Sequence, residues 1–130
     1  MTVLAYADAS ALVKLVADEA GSPALHRWYI GADRVATSRI GVIETVRAAS
    51  RREHDPMHRD HVVEDLEVLE LEPSIASAAA AIGPAGLRTL DAIHLATALR
   101  LLPELDAFVT YDDRLAEAAR ALGLPVVQPA

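Results

Sequence analysis

The sequence feature that most constrains the fold is a regular alternation of short apolar runs with longer helical patterns over 130 residues. Between the runs, apolar residues recur at the three- and four-residue spacing of amphipathic helices. The runs of strand length cover residues 3–7, 35–37, 68–72, 108–111 and 125–127. Strands that alternate with helices require right-handed crossovers and form a parallel sheet covered on both faces. We therefore expect a single three-layer α/β/α domain with a central parallel sheet.

Composition and charge limit the cellular compartment and the binding partners expected for the chain. It has no cysteine, which excludes disulfides and thiolate metal sites and is compatible with a reducing cytosol. The first apolar run is ended by Asp8, too early for a signal peptide or a membrane span, so we expect a cytoplasmic protein with no membrane partner. The net charge of −7 argues against simple electrostatic binding of nucleic acid, but a divalent cation in an acidic site reverses the local sign. Charge therefore leaves nucleic-acid binding open.

One carboxylate stands alone in the most apolar helical pattern, which covers residues 87–99. Asp91 is the only acidic residue between Glu72 and Glu104, and Thr89 is the expected N-cap of this helix. The simpler interpretation is that Asp91 lies in the first turn and gains about 0.3–1 kcal/mol from the helix dipole. The alternative is that it faces other carboxylates around a cation, because an unpaired buried charge costs several kcal/mol.

Other isolated acidic residues occupy positions from which they can meet Asp91. Asp8 directly follows the first strand pattern, and Asp112 and Asp113 follow the fourth. Glu44 is isolated in the apolar pattern after the second strand. Parallel sheets bind ligands at the carboxyl ends of their strands, where these side chains are expected. A hard divalent cation offsets repulsion between carboxylates and assists phosphoryl chemistry, so the pattern predicts metal-assisted phosphodiester hydrolysis.

Two other classes of acidic α/β domain fit less well. A phospho-signalling receiver needs a lysine after its last strand, and no lysine follows Lys14. A haloacid-dehalogenase-like phosphatase needs Asp-x-Asp after the first strand, whereas residues 8–10 read Asp-Ala-Ser. On the third helix Arg47 and Arg51 follow Glu44 at three and seven residues, which fits either a surface ion pair or contacts to a phosphate backbone.

Four segments in order, residues 6–15, 43–47, 90–96 and 109–115, resemble the successive motifs of PIN-domain ribonucleases, specifically the VapC toxins of bacterial toxin–antitoxin modules. The resemblance runs over essentially the whole chain. It implies a PIN-like fold and an endoribonuclease that depends on Mg²⁺ or Mn²⁺ and cuts tRNA, rRNA or other RNA. It also implies a homodimer that a VapB-like antitoxin holds inactive. The alternative within this resemblance is a catalytically silent PIN-like domain that binds RNA or a protein.

The resemblance also assigns roles to particular residues. Ser10 would assist near the metal, Thr110 would shape the pocket, and His94 would be a packed or hydrogen-bonded helix residue. The fourth acid is ambiguous between Asp112 and Asp113, and we favour Asp112 because the family motif places its acid two residues after the threonine. The expected catalytic and metal-binding quartet is Asp8, Glu44, Asp91 and Asp112.

Overall fold

The computed structural model describes residues 2–130, and its strands and helices alternate as the sequence predicts. The strands are β1 Leu4–Ala7, β2 Arg34–Ser38, β3 Glu67–Leu69, β4 Ala107–Val109 and β5 Val126–Val127. The helices are α1 Ala9–Val16, α2 Ser22–Ile30, α3 Arg39–Ala49, α4 Pro56–Glu64, α5 Pro73–Ala81, α6 Thr89–Leu99 and α7 Asp113–Ala121.

The five strands form one sheet in the order β3-β2-β1-β4-β5, and every pairing is parallel. Ala5 of β1 pairs with Val35 of β2 on one side and with Ala107 of β4 on the other. From β1 the chain builds the sheet in one direction, to β2 and then β3, and afterwards crosses to the other side of β1 to form β4 and β5. The strand order therefore reverses between β1 and β4. Ligands of such sheets bind at this switch point, beyond the carboxyl ends of the strands.

Two hydrophobic clusters cover the two faces of the sheet and confirm the three-layer α/β/α architecture. Leu4 and Tyr6 of β1 pack with α6 and α7, whereas Ala5 and Ala7 pack with α1 and α2. Successive residues of a strand point to opposite faces, so this short strand supplies both clusters. The Tyr6 ring stacks on that of Phe108 with centroids 5.3 Å apart.

Details of the helix ends depart from expectation. Thr89 is the first residue of α6 and does not cap it, so that prediction is wrong: the N-cap is Arg88, which makes no side-chain capping bond. The helix ends at Leu99, the last residue of the apolar pattern. Asp91 does lie in the first turn of α6, as predicted. Within residues 2–130, no helix has the length and apolarity needed to cross a membrane.

Candidate active site

Asp8 is the first residue after β1 and is held by three hydrogen bonds. Its Oδ1 accepts from the Ser10 hydroxyl at 2.7 Å and from the Ala11 amide at 3.1 Å, which caps α1. Its Oδ2 accepts from the Thr110 hydroxyl at 2.7 Å. Burial raises the pKa of Asp8, and the hydrogen bond from Ser10 opposes that rise. Asp8 is therefore a buried carboxylate fixed in one orientation.

Thr110 joins Asp8 to the strand on the other side of the switch point. Its hydroxyl donates to Asp8 and accepts the backbone N–H of Asp112 at 3.1 Å. Asp112 in turn caps α7, because its Oδ1 accepts from the amides of Arg114 and Leu115 at 2.9 and 3.1 Å. The carboxyl ends of β1 and β4 thus share one polar network.

Glu44, on α3, is held by a hydrogen-bonded chain that reaches into the core. Its Oε1 lies 2.7 Å from Nε2 of His94, and Nδ1 of the same ring lies 2.6 Å from the Tyr6 hydroxyl. The Ser38 amide donates to that hydroxyl at 3.2 Å. Burial raises the pKa of Tyr6 far above its ordinary value, so the phenol keeps its proton. Because a carboxylate oxygen accepts, Nε2–H of His94 is the donor that orients Glu44.

Gly41 allows α3 to approach this chain of hydrogen bonds. A Cβ at this position would lie 2.3 Å from Oγ1 of Thr37 and 3.2 Å from Cε1 of His94. The Thr37 hydroxyl cannot turn away without loss, because it is buried and donates to the Ala7 carbonyl at 2.7 Å. Only glycine therefore fits between α3, β2 and α6.

Asp91 is partly exposed, and its carboxylate accepts no hydrogen bond from any residue between 2 and 130. Burial raises its pKa, and the negative charges of Asp112 and Glu44 add to the rise, while His94 and Arg88 oppose it. Asp113 is exposed in the first turn of α7, whereas Asp112 is among the groups that raise the pKa of Asp91 most. The assignment of Asp112 as the fourth acid stays a prediction.

These side chains fit a hard divalent cation, although they do not form a ready-made cage. In residues 2–130, no group of three His, Cys, Asp or Glu side chains is close enough to hold a metal ion by itself. The second carboxylate oxygens of Glu44 and Asp112 and both oxygens of Asp91 accept no hydrogen bond within the same residues. Mg²⁺ usually keeps several waters and takes one or two carboxylates, so these mutually repelling oxygens suit it.

Sequence reasoning did not find the positioning roles of Tyr6 and Gly41. Two signals were present: Tyr6 is the only aromatic residue in its strand, and Gly41 lies inside a helix that it weakens by about 1 kcal/mol relative to alanine. His94 is buried and hydrogen-bonded, as expected. Its two partners lie 88 and 50 residues away along the chain, so neither could be predicted locally.

Comparison with known proteins agrees with this geometry. The PIN domain family matches residues 5–121. Ribonuclease VapC47 of Mycobacterium tuberculosis is 37% identical over 130 residues, which cover 95% of this chain and 96% of that protein. The chain is a PIN domain of the VapC family.

Solved structures share the fold of this PIN domain. M. tuberculosis VapC20, described as a Sarcin-Ricin loop cleaving toxin, superposes with a TM-score of 0.72 at 18% identity. The alignment covers 96% of this chain and 99% of VapC20. A chain from a toxin–antitoxin complex of Klebsiella pneumoniae gives a TM-score of 0.69 at 22% identity, covering 97% and 98%. At these identities the likeness establishes the fold alone.

Proposed function

We propose that this PIN domain is the endoribonuclease toxin of a VapBC-type module and hydrolyses RNA phosphodiester bonds with Mg²⁺ or Mn²⁺. The observation that carries the proposal is the position of Asp8 and Asp112 on either side of the switch point, joined through Thr110. Asp91 stands close enough for Asp112 and Glu44 to raise its pKa. Kinship with proteins named ribonuclease VapC supports the same activity.

In this proposal Asp8, Glu44, Asp91 and Asp112 would hold the cation, some of them through its waters. The metal would supply water activation and would offset the charge that develops on the phosphoryl group. Ser10 and Thr110 keep the Asp8 carboxylate in one orientation, and His94 does the same for Glu44. Groups held in this way need little reorganisation when charge develops in the transition state.

The proposal includes an antitoxin partner of the VapB type. The likeness to a chain solved in a toxin–antitoxin complex supports this partner. The homodimer remains a prediction from the family resemblance, and the cytoplasmic location a prediction from the short first apolar run and the lack of cysteine. Light scattering of the purified chain would measure the first, and fractionation of host cells the second.

The test is cleavage of total bacterial RNA by the purified full chain, in Mg²⁺ or Mn²⁺ and in EDTA. We expect discrete fragments that need the metal and disappear in Asp91→Asn, because this variant removes one charge from the site. Asp113→Asn is the matched control, since it removes an exposed charge one residue beyond Asp112 and should cut normally. Asp112→Asn should lose activity while keeping the cap of α7, since asparagine also caps helices.

A fully active Asp91→Asn variant would contradict the site assignment. The second candidate function is a PIN domain that binds RNA or a protein without cutting. It is favoured by one observation, the lack of a three-residue metal cluster among residues 2–130. A folded chain that binds Mn²⁺ in calorimetry but leaves all RNA intact would support this candidate.

A further inference from the structure

Arginine side chains on the two sides of the acidic site have no partners within the described part of the chain. Of the 12 lysine and arginine residues, five form ion pairs with carboxylates, namely Lys14, Arg34, Arg39, Arg52 and Arg59. The side chains of Arg47, Arg51, Arg88 and Arg114 make no ion pair or hydrogen bond with residues 2–130. The alternative of an ion pair between Glu44 and either Arg47 or Arg51 is therefore not realised.

These four guanidiniums line two clefts. The first, which we call the Glu44 cleft, has a volume of about 450 Å³ and contains Glu44, Arg47 and Arg51. The second, the Asp91 cleft, has a volume of about 460 Å³ and contains Asp91, Arg88 and Arg114. Each cleft thus combines one member of the acidic quartet with two cations that have no partner among residues 2–130, and the Asp91 cleft also contains Glu117.

The two clefts flank the first turn of α6. Leu90 lines the Glu44 cleft and Asp91 lines the Asp91 cleft, and these are consecutive residues in the first turn of α6. Ser10, which donates to Asp8, also lines the Glu44 cleft. A chain molecule lying in both clefts therefore crosses the first turn of α6 beside the carboxylates.

We infer that the two clefts form one track for an unpaired RNA strand, with Arg47 and Arg51 contacting phosphates on one side of the cut and Arg88 and Arg114 on the other. The inference rests on the proposed function, because it places the scissile phosphate at the acidic quartet. Arginine suits this role because its guanidinium contacts phosphate through two parallel hydrogen bonds. Cations at both ends of the track also explain how a chain of net charge −7 binds a polyanion.

The burial of the site selects an unpaired strand over a duplex. Asp8 is only 5% exposed, so a phosphate must descend into the crevice to reach it. A flexible single strand can bend into the crevice, whereas an RNA duplex keeps its phosphates on a rigid outer surface. Ile43 and Leu90 are 48% and 44% exposed in the Glu44 cleft and offer an apolar contact to the face of an unpaired base.

The test measures binding separately from cleavage. A fluorescent 12-nucleotide single-stranded RNA of random sequence is titrated in EDTA with the full chain carrying Asp91→Asn, at several salt concentrations. Each phosphate contact contributes a slope of about −0.7 to log K against log salt for single strands. Four contacts predict a slope of about −2.8, an affinity loss of about 50-fold between 50 and 200 mM salt.

Removing the two arginines of one cleft should halve this dependence. Arg88→Ala with Arg114→Ala is expected to leave a slope of about −1.4, a loss of only about sevenfold over the same salt range. Arg47→Ala with Arg51→Ala should do the same. Lysine at the same positions should restore the slope, since charge sets counterion release. Arg120→Ala is the matched control, because it removes an exposed arginine of α7 that lines neither cleft. It should leave the salt slope of RNA binding unchanged.

The outcomes separate this inference from the proposed function. Three results would each overturn the track, even in a chain that cuts RNA. They are a salt slope that all four alanine substitutions leave unchanged, no measurable binding, and equal binding of a 12-base-pair duplex. Reduced slopes in a chain that never cuts RNA would support the track and reject the nuclease. Reduced slopes together with metal-dependent cleavage would support both.

Discussion

Gly41→Ala should both destabilise the fold and displace the support of Glu44. The added Cβ would lie 2.3 Å from Oγ1 of Thr37, about 1 Å inside normal contact, so the overpacking cost is about 1–3 kcal/mol. Turning the Thr37 hydroxyl away breaks its buried bond to the Ala7 carbonyl, at a further cost of about 1 kcal/mol. The higher helix propensity of alanine offsets at most about 1 kcal/mol of this destabilisation. The net loss is about 2 kcal/mol.

Thermal unfolding of the variant measures this loss. For a chain of this size 2 kcal/mol corresponds to a Tm lowered by roughly 8 °C. Gly86→Ala is the matched control, because its Cβ would meet no atom within 4 Å, and its Tm should stay the same or rise slightly. Displacement of His94 should also reduce RNA cleavage, and by more than the unfolded fraction of the variant explains. A Gly41→Ala variant as stable as the Gly86→Ala control would refute the close-approach argument.

Two further substitutions probe the hydrogen bonds of the site. Tyr6→Phe removes the hydroxyl that bonds the buried Ser38 amide and Nδ1 of His94, so urea unfolding should show a loss of about 2 kcal/mol in the free energy of unfolding. Tyr29→Phe is the control, because the Tyr29 hydroxyl has no hydrogen bond within residues 2–130. Its free energy of unfolding should stay within about 0.5 kcal/mol of wild type. Asp8→Asn should be more stable than wild type at neutral pH in EDTA, because burial raises the folded pKa of Asp8 and ionisation then opposes folding. That advantage should grow as pH rises through the folded pKa and vanish below about pH 4, where Asp8 is neutral in both states; an advantage independent of pH would show that ionisation is not its cause.

Most of the fold and part of the site were predictable from local sequence. Alternating apolar runs identified every strand, and Asp8 and Asp112 could be placed at strand ends because each directly follows such a run. The predicted cap at Thr89 was wrong, since the backbone begins α6 one residue earlier than the capping preference implies. A cap depends on a few φ and ψ angles, which the connection from the preceding loop sets as much as the residue type does.

The sequence by itself determined the parallel α/β architecture and the positions of the acidic residues on it, because periodicity and strand ends are local properties. Only the tertiary structure decided which oxygen of each carboxylate accepts a hydrogen bond, and from which residue. Asp8 is fixed by Thr110, 102 residues away, and Glu44 by His94, 50 residues away. Such distant partners meet only when β1 lies between β2 and β4 and Gly41 lets α3 close on α6. Residue types specify what a side chain can donate or accept, and packing specifies with which partner.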